Sequence, residues 1–242
     1  MNAQDYIREA EEISPVSGEA PGAAFLDFYE RHRAQIREIL LGLKGGDANI
    51  REFTLRAGMM HPANSVIGER IMEFCRLPYR TGEGTIAACP GALGNWKGCP
   101  PHSPSVEETI GLLSGARTLL IMQFEGSEGD GRQGATHLFT ARVAEALHEE
   151  GFNILEAYSC GPCRLCASGC GEDEECRQPE RRLFALESCG FWVNSLCRKA
   201  SGFPVCGGGP REVRWINDWD LPSQDTESVR FVTGILLGED GW

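Results

Sequence analysis

Five cysteines stand within the seventeen positions from 160 to 176: Cys160, Cys163, Cys166, Cys170 and Cys176. A segment built of Cys, Gly and polar residues has no apolar period with which to join a helix or a core strand. Clustered thiols of this kind bind metal more often than they fill a core. Cys160-Gly-Pro-Cys163-Arg-Leu-Cys166-Ala-Ser-Gly-Cys170 reads C-x2-C-x2-C-x3-C, the spacing of bacterial iron–sulfur ligation, with Gly171 where that motif carries proline. A tight loop with two-residue gaps points successive thiolates at different irons of a cubane, while intervening backbone N–H groups offset the negative charge. Arg164 and Arg177 are candidates to offset it further, or are plain surface arginines. Cys176 is a fifth thiol, so two ligand sets are open. One takes Cys163, Cys166, Cys170 and Cys176 for one [4Fe–4S] cluster. The other assigns Cys170 to a second cluster. Zinc is the rival metal, although it usually separates its Cys-x2-Cys pairs by a dozen residues or so.

The chain has 11 cysteines and none before Cys75. No basic-then-apolar leader opens it, so the expected setting is a reducing cytoplasm, where clustered thiols bind metal more often than they pair. Cys75, Cys89 and Cys99 form a looser first group. Cys99-Pro100-Pro101-His102 is a rigid hook able to fix one thiolate, and Cys89-Pro90 resembles it. Three thiolates would leave one iron open to a substrate or partner; His102, Cys189, Cys197 or Cys206 are alternative fourth ligands. Against this stands the plainer reading that Cys75, Cys189, Cys197 and Cys206 are small buried hydrophobes.

Charge narrows the function classes. With 23 Lys+Arg against 35 Asp+Glu, the net charge of −12 disfavours nucleic acid and anionic membrane surfaces. No apolar run approaches the roughly 18 residues of a membrane span. The remaining pattern predicts a helix carrying Phe25, Phe28, Tyr29, Ile36, Ile39, Leu40 and Leu43, stopped at Gly45–Gly46. A Pro/Gly loop follows at 89–104, then a helix opened by a Ser105/Glu108 capping box. Further on come a strand over 118–124, a helix over 135–150 ended by Gly151, and a strand over 152–158. Last are helices from Pro179 to Leu186 and over 191–199, and a strand over 229–237 broken at Gly234. The predicted fold is α/β or α+β: a small mixed sheet flanked by helices, with the Cys-rich segment inserted after a strand. Residues 1–20 read as an arm and 21–242 as one domain, with a first Cys site at 75–104 and a second at 160–206.

CysProPro-His-x-Pro at 99–104, Gly161-Pro-Cys-Arg-Leu-Cys, the Cys-Arg-x-Pro-Glu step at 176–180 and Glu187-Ser-Cys-Gly together resemble the "predicted metal-binding protein" family, domain of unknown function 2284. The resemblance spans roughly Cys75 to Leu237. It implies a cysteine-ligated metal or iron–sulfur centre in an anaerobic, cytoplasmic setting, with accessory roles beside corrinoid or one-carbon enzymes. It places the family's cysteines on Cys75, Cys89, Cys99, Cys163, Cys166, Cys170 and Cys176, and leaves Cys160 as an extra.

The expected function is therefore an iron–sulfur protein that transfers electrons to, or activates, a partner metalloenzyme, with one [4Fe–4S] cluster and room for a second. The alternatives are a structural zinc-binding interaction module and an enzyme with an open-coordinate cluster. Gly129-Asp-Gly131-Arg-Gln-Gly134 matches a dinucleotide fingerprint literally, but Glu125, Glu128 and Asp130 would repel a pyrophosphate. It reads as an acidic loop.

Overall fold

The computed structural model describes residues 16, 23–76, 79–81, 84–86, 91, 96–127, 133–170, 175–204 and 228–239. Helix α1 (Ala23–Gly46) buries Phe25, Phe28, Ile36 and Leu40, the stripe its 3.6-residue period predicts, and runs out at Gly45–Gly46. Strand β1 (Thr54–Met60) follows, and the short strands β2 (Tyr79–Thr81) and β3 (Gly84–Ile86) pair with each other. Helix α2 (Val106–Ser114) opens on the predicted capping box. The Ser105 hydroxyl accepts from Glu108 N–H at 3.2 Å, and the Glu108 carboxylate accepts from Ser105 N–H at 2.8 Å. Ser105→Ala is expected to lower unfolding stability by about 1 kcal/mol in urea titration; an unchanged midpoint would contradict the cap's contribution.

Strand β4 (Ala116–Ser127), helix α3 (Gln133–Glu149), strand β5 (Ile154–Ser159), strand β6 (Phe184–Ala185), helix α4 (Val193–Lys199), strand β7 (Ser201–Pro204) and strand β8 (Ser228–Gly238) complete the order. The main sheet has six strands in the order β6-β5-β8-β4-β1-β7. Only β5 and β6 are parallel; the other pairs are antiparallel, so the sheet is mixed as expected. One face packs Leu120, Met122, Phe124, Ile235 and Leu237 against α1 and α3. The opposite face packs Leu119, Ile121, Tyr158 and Leu236 against α2 and the segment 184–200. Burial on both faces explains why β4 reads as a nearly unbroken apolar run rather than an alternating one. Among the described residues, no helix is long and apolar enough to cross a membrane.

Three sequence expectations need correction. The helix expected from Pro179 to Leu186 is a single 3-10 turn, Pro179–Arg181, followed by β6. Phe184 and Ala185 instead lie beside Tyr158 and Ser159 in parallel register, because the apolar run 183–186 is buried by joining the sheet. Strand β8 is not broken at Gly234. There it pairs with Ile121 of β4 on one side and Tyr158 of β5 on the other, and the two neighbouring strands carry β8 straight through. Strand β1 lies where no strand was expected, and is a sheet member between β4 and β7. Gly151 ends α3 with φ of +90°, as its position predicts. Of the segment 1–20 only Val16 is described, its N–H bonded to Ser65 C=O at 3.0 Å.

Candidate metal centre

The Cys-rich loop leaves the C-terminal end of β5 and lies beside the segment 96–103, where Gly98 abuts both Cys163 and Leu183. Gly98 fixes that contact. Its carbonyl accepts from Ala185 N–H at 3.0 Å, while Ser103 Oγ donates to Ser188 C=O at 2.9 Å; the Ser188 hydroxyl donates to Ala185 C=O at 2.7 Å and lies 3.2 Å from Gly98 C=O. The loop 96–103 thereby extends the free edge of β6, and one pocket opens between these strands of chain.

Cys163, Cys166, Cys170 and Cys176 all line this pocket, together with Lys97, Gly98, Leu165, Gln178 and Arg182. Cys163 is buried and forms its floor, packed into the same core as Leu183; Cys166, Cys170 and Cys176 are half-buried. Burial pushes the Cys163 thiol up, and the nearby sulfurs of Cys170 and Cys176 push it further. A thiolate there needs a positive partner. The polar neighbours are donors. Gln178 Nε2 donates to Cys166 Sγ at 3.5 Å, Lys97 brings an ammonium, and the buried Arg182 Nε has no hydrogen-bond partner among the described residues. Four thiolates on a dipositive core carry two negative charges, which Lys97 and Arg182 match in number. The donor set therefore fits a thiolate-ligated metal group. Among the described residues no three His, Cys, Asp or Glu side chains are gathered so as to hold a metal ion.

Cys160 is not on that lining. Its residue surface is partly exposed, but burial around the sulfur pushes the thiol up to about 12. Its sulfur stands 3.5 Å from His137 Nε2 on α3. His137 is fully buried, and burial pulls its imidazole down to about 4, so the ring is neutral. Its Nδ1 accepts from Arg164 N–H at 3.1 Å, and its Nε2 lies 3.0 Å from Cys160 C=O. The sequence offers no sign of this: His137 is one histidine among five, twenty-three residues before the nearest cysteine of the run.

The first group of cysteines is dispersed around the same region. Cys99 is buried under Gly91, where an added Cβ would come within 2.6 Å of Cys99 Sγ and 3.1 Å of Pro162. Cys75 lies near enough to Cys189 for their charges to interact, and Cys189 is fully buried, its thiol pushed up first by that burial. Cys189 and Cys197 pack in the core face shared with Phe191 and Leu196. Cys89 and Cys206 lie outside the described residues, as do Trp215, Trp219 and positions 129–132 of the glycine motif. His102 is exposed, 3.5 Å from Lys97 Nζ, and off the pocket lining. Arg177 bonds Ser168 Oγ at 2.7 Å, and Arg164 stacks on Trp96 at 5.5 Å. Trp192 is buried.

Comparison with known proteins gives one likeness. The family model described as predicted metal-binding protein (DUF2284) matches residues 85–217. That span holds the four pocket thiols, Cys99, Gly98, His137 and Arg182, and begins after Cys75, where the sequence resemblance was expected to start. No curated protein and no solved structure matches the chain.

Proposed function

The chain belongs to the DUF2284 family of predicted metal-binding proteins, and on that premise we propose that Cys163, Cys166, Cys170 and Cys176 ligate one iron–sulfur centre of the [4Fe–4S] type. Through it the protein passes single electrons to a partner metalloenzyme or activates it. The observation that carries this reading is the shared pocket: four thiols line one space together with the cations of Lys97 and Arg182 and the Gln178 amide that donates to Cys166 Sγ. Zinc more often separates its Cys-x2-Cys pairs by a dozen residues or more. The ligand spacing C-x2-C-x3-C-x5-C, set in fourteen positions, supports the same choice. A bound cluster would supply one-electron chemistry. The chain's own residues would set its properties: Gln178 and Arg182 by donating toward sulfur, Lys97 by charge, Cys163 by burial.

The absence of Cys160 from the pocket lining supports the four-thiol partition, and the proposal is of one centre, with Cys75 and Cys99 off that lining. Three of the four thiols are only half-buried, which leaves a docking protein a short path for electrons. Chain purified without oxygen is expected to contain iron and acid-labile sulfide, to absorb broadly in the visible, and to take up and release electrons reversibly with a matching paramagnetic resonance signal. Colourless protein with one equivalent of zinc and no redox response would replace this reading with a structural zinc module.

A further inference from the structure

We infer that Gln133 and His137 are positioning residues of the thiol centre, and that Cys160 serves the centre through its backbone carbonyl and not through its sulfur. This rests on the metal-centre reading and adds a helix that holds the ligand loop in place. Gln133 and His137 sit one turn apart on α3, so their side chains project from the same face. The Cys160 carbonyl accepts from Gln133 Nε2 at 2.6 Å and from His137 Nε2 at 3.0 Å, which uses both of its lone pairs. Four residues on, Arg164 N–H donates to His137 Nδ1 at 3.1 Å, and Arg164 Nε donates to Gln133 Oε1 at 2.8 Å. Each side chain thus bridges residues 160 and 164, the span that carries Cys163 and leads directly into Cys166.

The tautomer follows from these partners. With Nδ1 accepting from a backbone N–H, the ring proton must sit on Nε2 and point at a carbonyl. Both nitrogens are thereby spent on one five-residue stretch of backbone, so His137 has no lone pair left for a metal. The local shapes require the same closeness. Gly161 adopts φ of +64°, and a Cβ there would stand 3.0 Å from Gln133 Nε2. A Cβ on Gly134 would stand 3.6 Å from Arg164 Cβ. Cys160 Sγ lies near the same Nε2, but that N–H is directed at the carbonyl and the sulfur is off the pocket lining. Groups that orient metal ligands from outside the ligand shell typically change metal affinity 10–100-fold when removed.

The test uses the full chain, loaded without oxygen with ferrous iron and sulfide, and separately with zinc, against a competing chelator. His137→Ala is expected to weaken metal retention about 10–100-fold and to shift the visible and paramagnetic resonance spectra of the loaded centre. His137→Gln, which keeps a donor for the Cys160 carbonyl, is expected to recover part of both. Cys160→Ser is expected to keep the metal content and the spectra. The inference is overturned if His137→Ala, folded by far-ultraviolet circular dichroism, retains wild-type affinity and spectra, or if Cys160→Ser loses metal. Should His137→Ala fail to fold, Gln133→Ala decides by the same measurements. A wild-type chain that takes up neither metal overturns the metal-centre reading itself, a result distinct from unaltered loading in the variants.

Discussion

Serine in place of Cys163 is expected to strip the chain of its metal: metal per chain after desalting should fall at least about tenfold, with the visible absorbance lost. The same substitution at Cys166, Cys170 or Cys176 is expected to act in the same direction. Cys163 should be the most severe because it is the buried floor of the pocket. A hydroxyl is a far poorer ligand than a thiolate for iron or zinc, and a serine there leaves a polar group facing the core around Leu183. The binding energy of such centres is also folding energy, so the variants should melt earlier than loaded wild type and close to metal-free wild type. Because burial and the neighbouring sulfurs raise the Cys163 thiol, metal must displace a tightly held proton, and retention should weaken as pH falls. Wild-type metal content in Cys163→Ser at neutral pH would remove this cysteine from the ligand set.

Gly98→Ala should be as damaging although it touches no sulfur chemistry. A Cβ at residue 98 would stand 2.3 Å from Leu183 C=O and 3.3 Å from Cys163 Cβ. Backbone cannot yield that distance, so the loop 96–103 must lift from the edge of β6. Lifting breaks the bond from Ala185 N–H to Gly98 C=O and the bond from Ser103 Oγ to Ser188 C=O. At about 1 kcal/mol for each bond, and more where a buried donor is left unpaired, the loss is about 2 kcal/mol or greater. It also removes Lys97 and one wall of the pocket. Denaturant unfolding of the metal-free chain, followed by metal loading, checks both halves. A stable variant that loads normally would show that this wall is dispensable.

Much of the scaffold is written locally. The α1 stripe from Phe25 to Leu40, the Ser105/Glu108 cap, the doubly buried run of β4 and the Gly151 stop each depend on residues a few positions apart, and each forms where the pattern places it. The failures share a cause. Pro179 signals a helix start truthfully, but pairing with Tyr158 and Ser159 draws Phe184 and Ala185 into the sheet. Gly234 signals a strand break, yet pairing with Ile121 on one side and Tyr158 on the other carries the strand through it. Long-range partners override the local preference at both places.

The candidate centre divides in the same way. The spacing of five thiols by itself predicts a segment that holds a metal group, because clustered cysteines in a reducing setting bind metal more often than they pair. It also left open which four of them act together. Only the tertiary structure gathers Cys163, Cys166, Cys170 and Cys176 around one pocket, turns Cys160 toward His137, and brings Lys97 and Arg182 to the thiols from opposite sides in sequence. Spacing along a chain fixes what a loop can reach. Which way each side chain faces is set by contacts across tens of residues, and a one-dimensional pattern does not contain them.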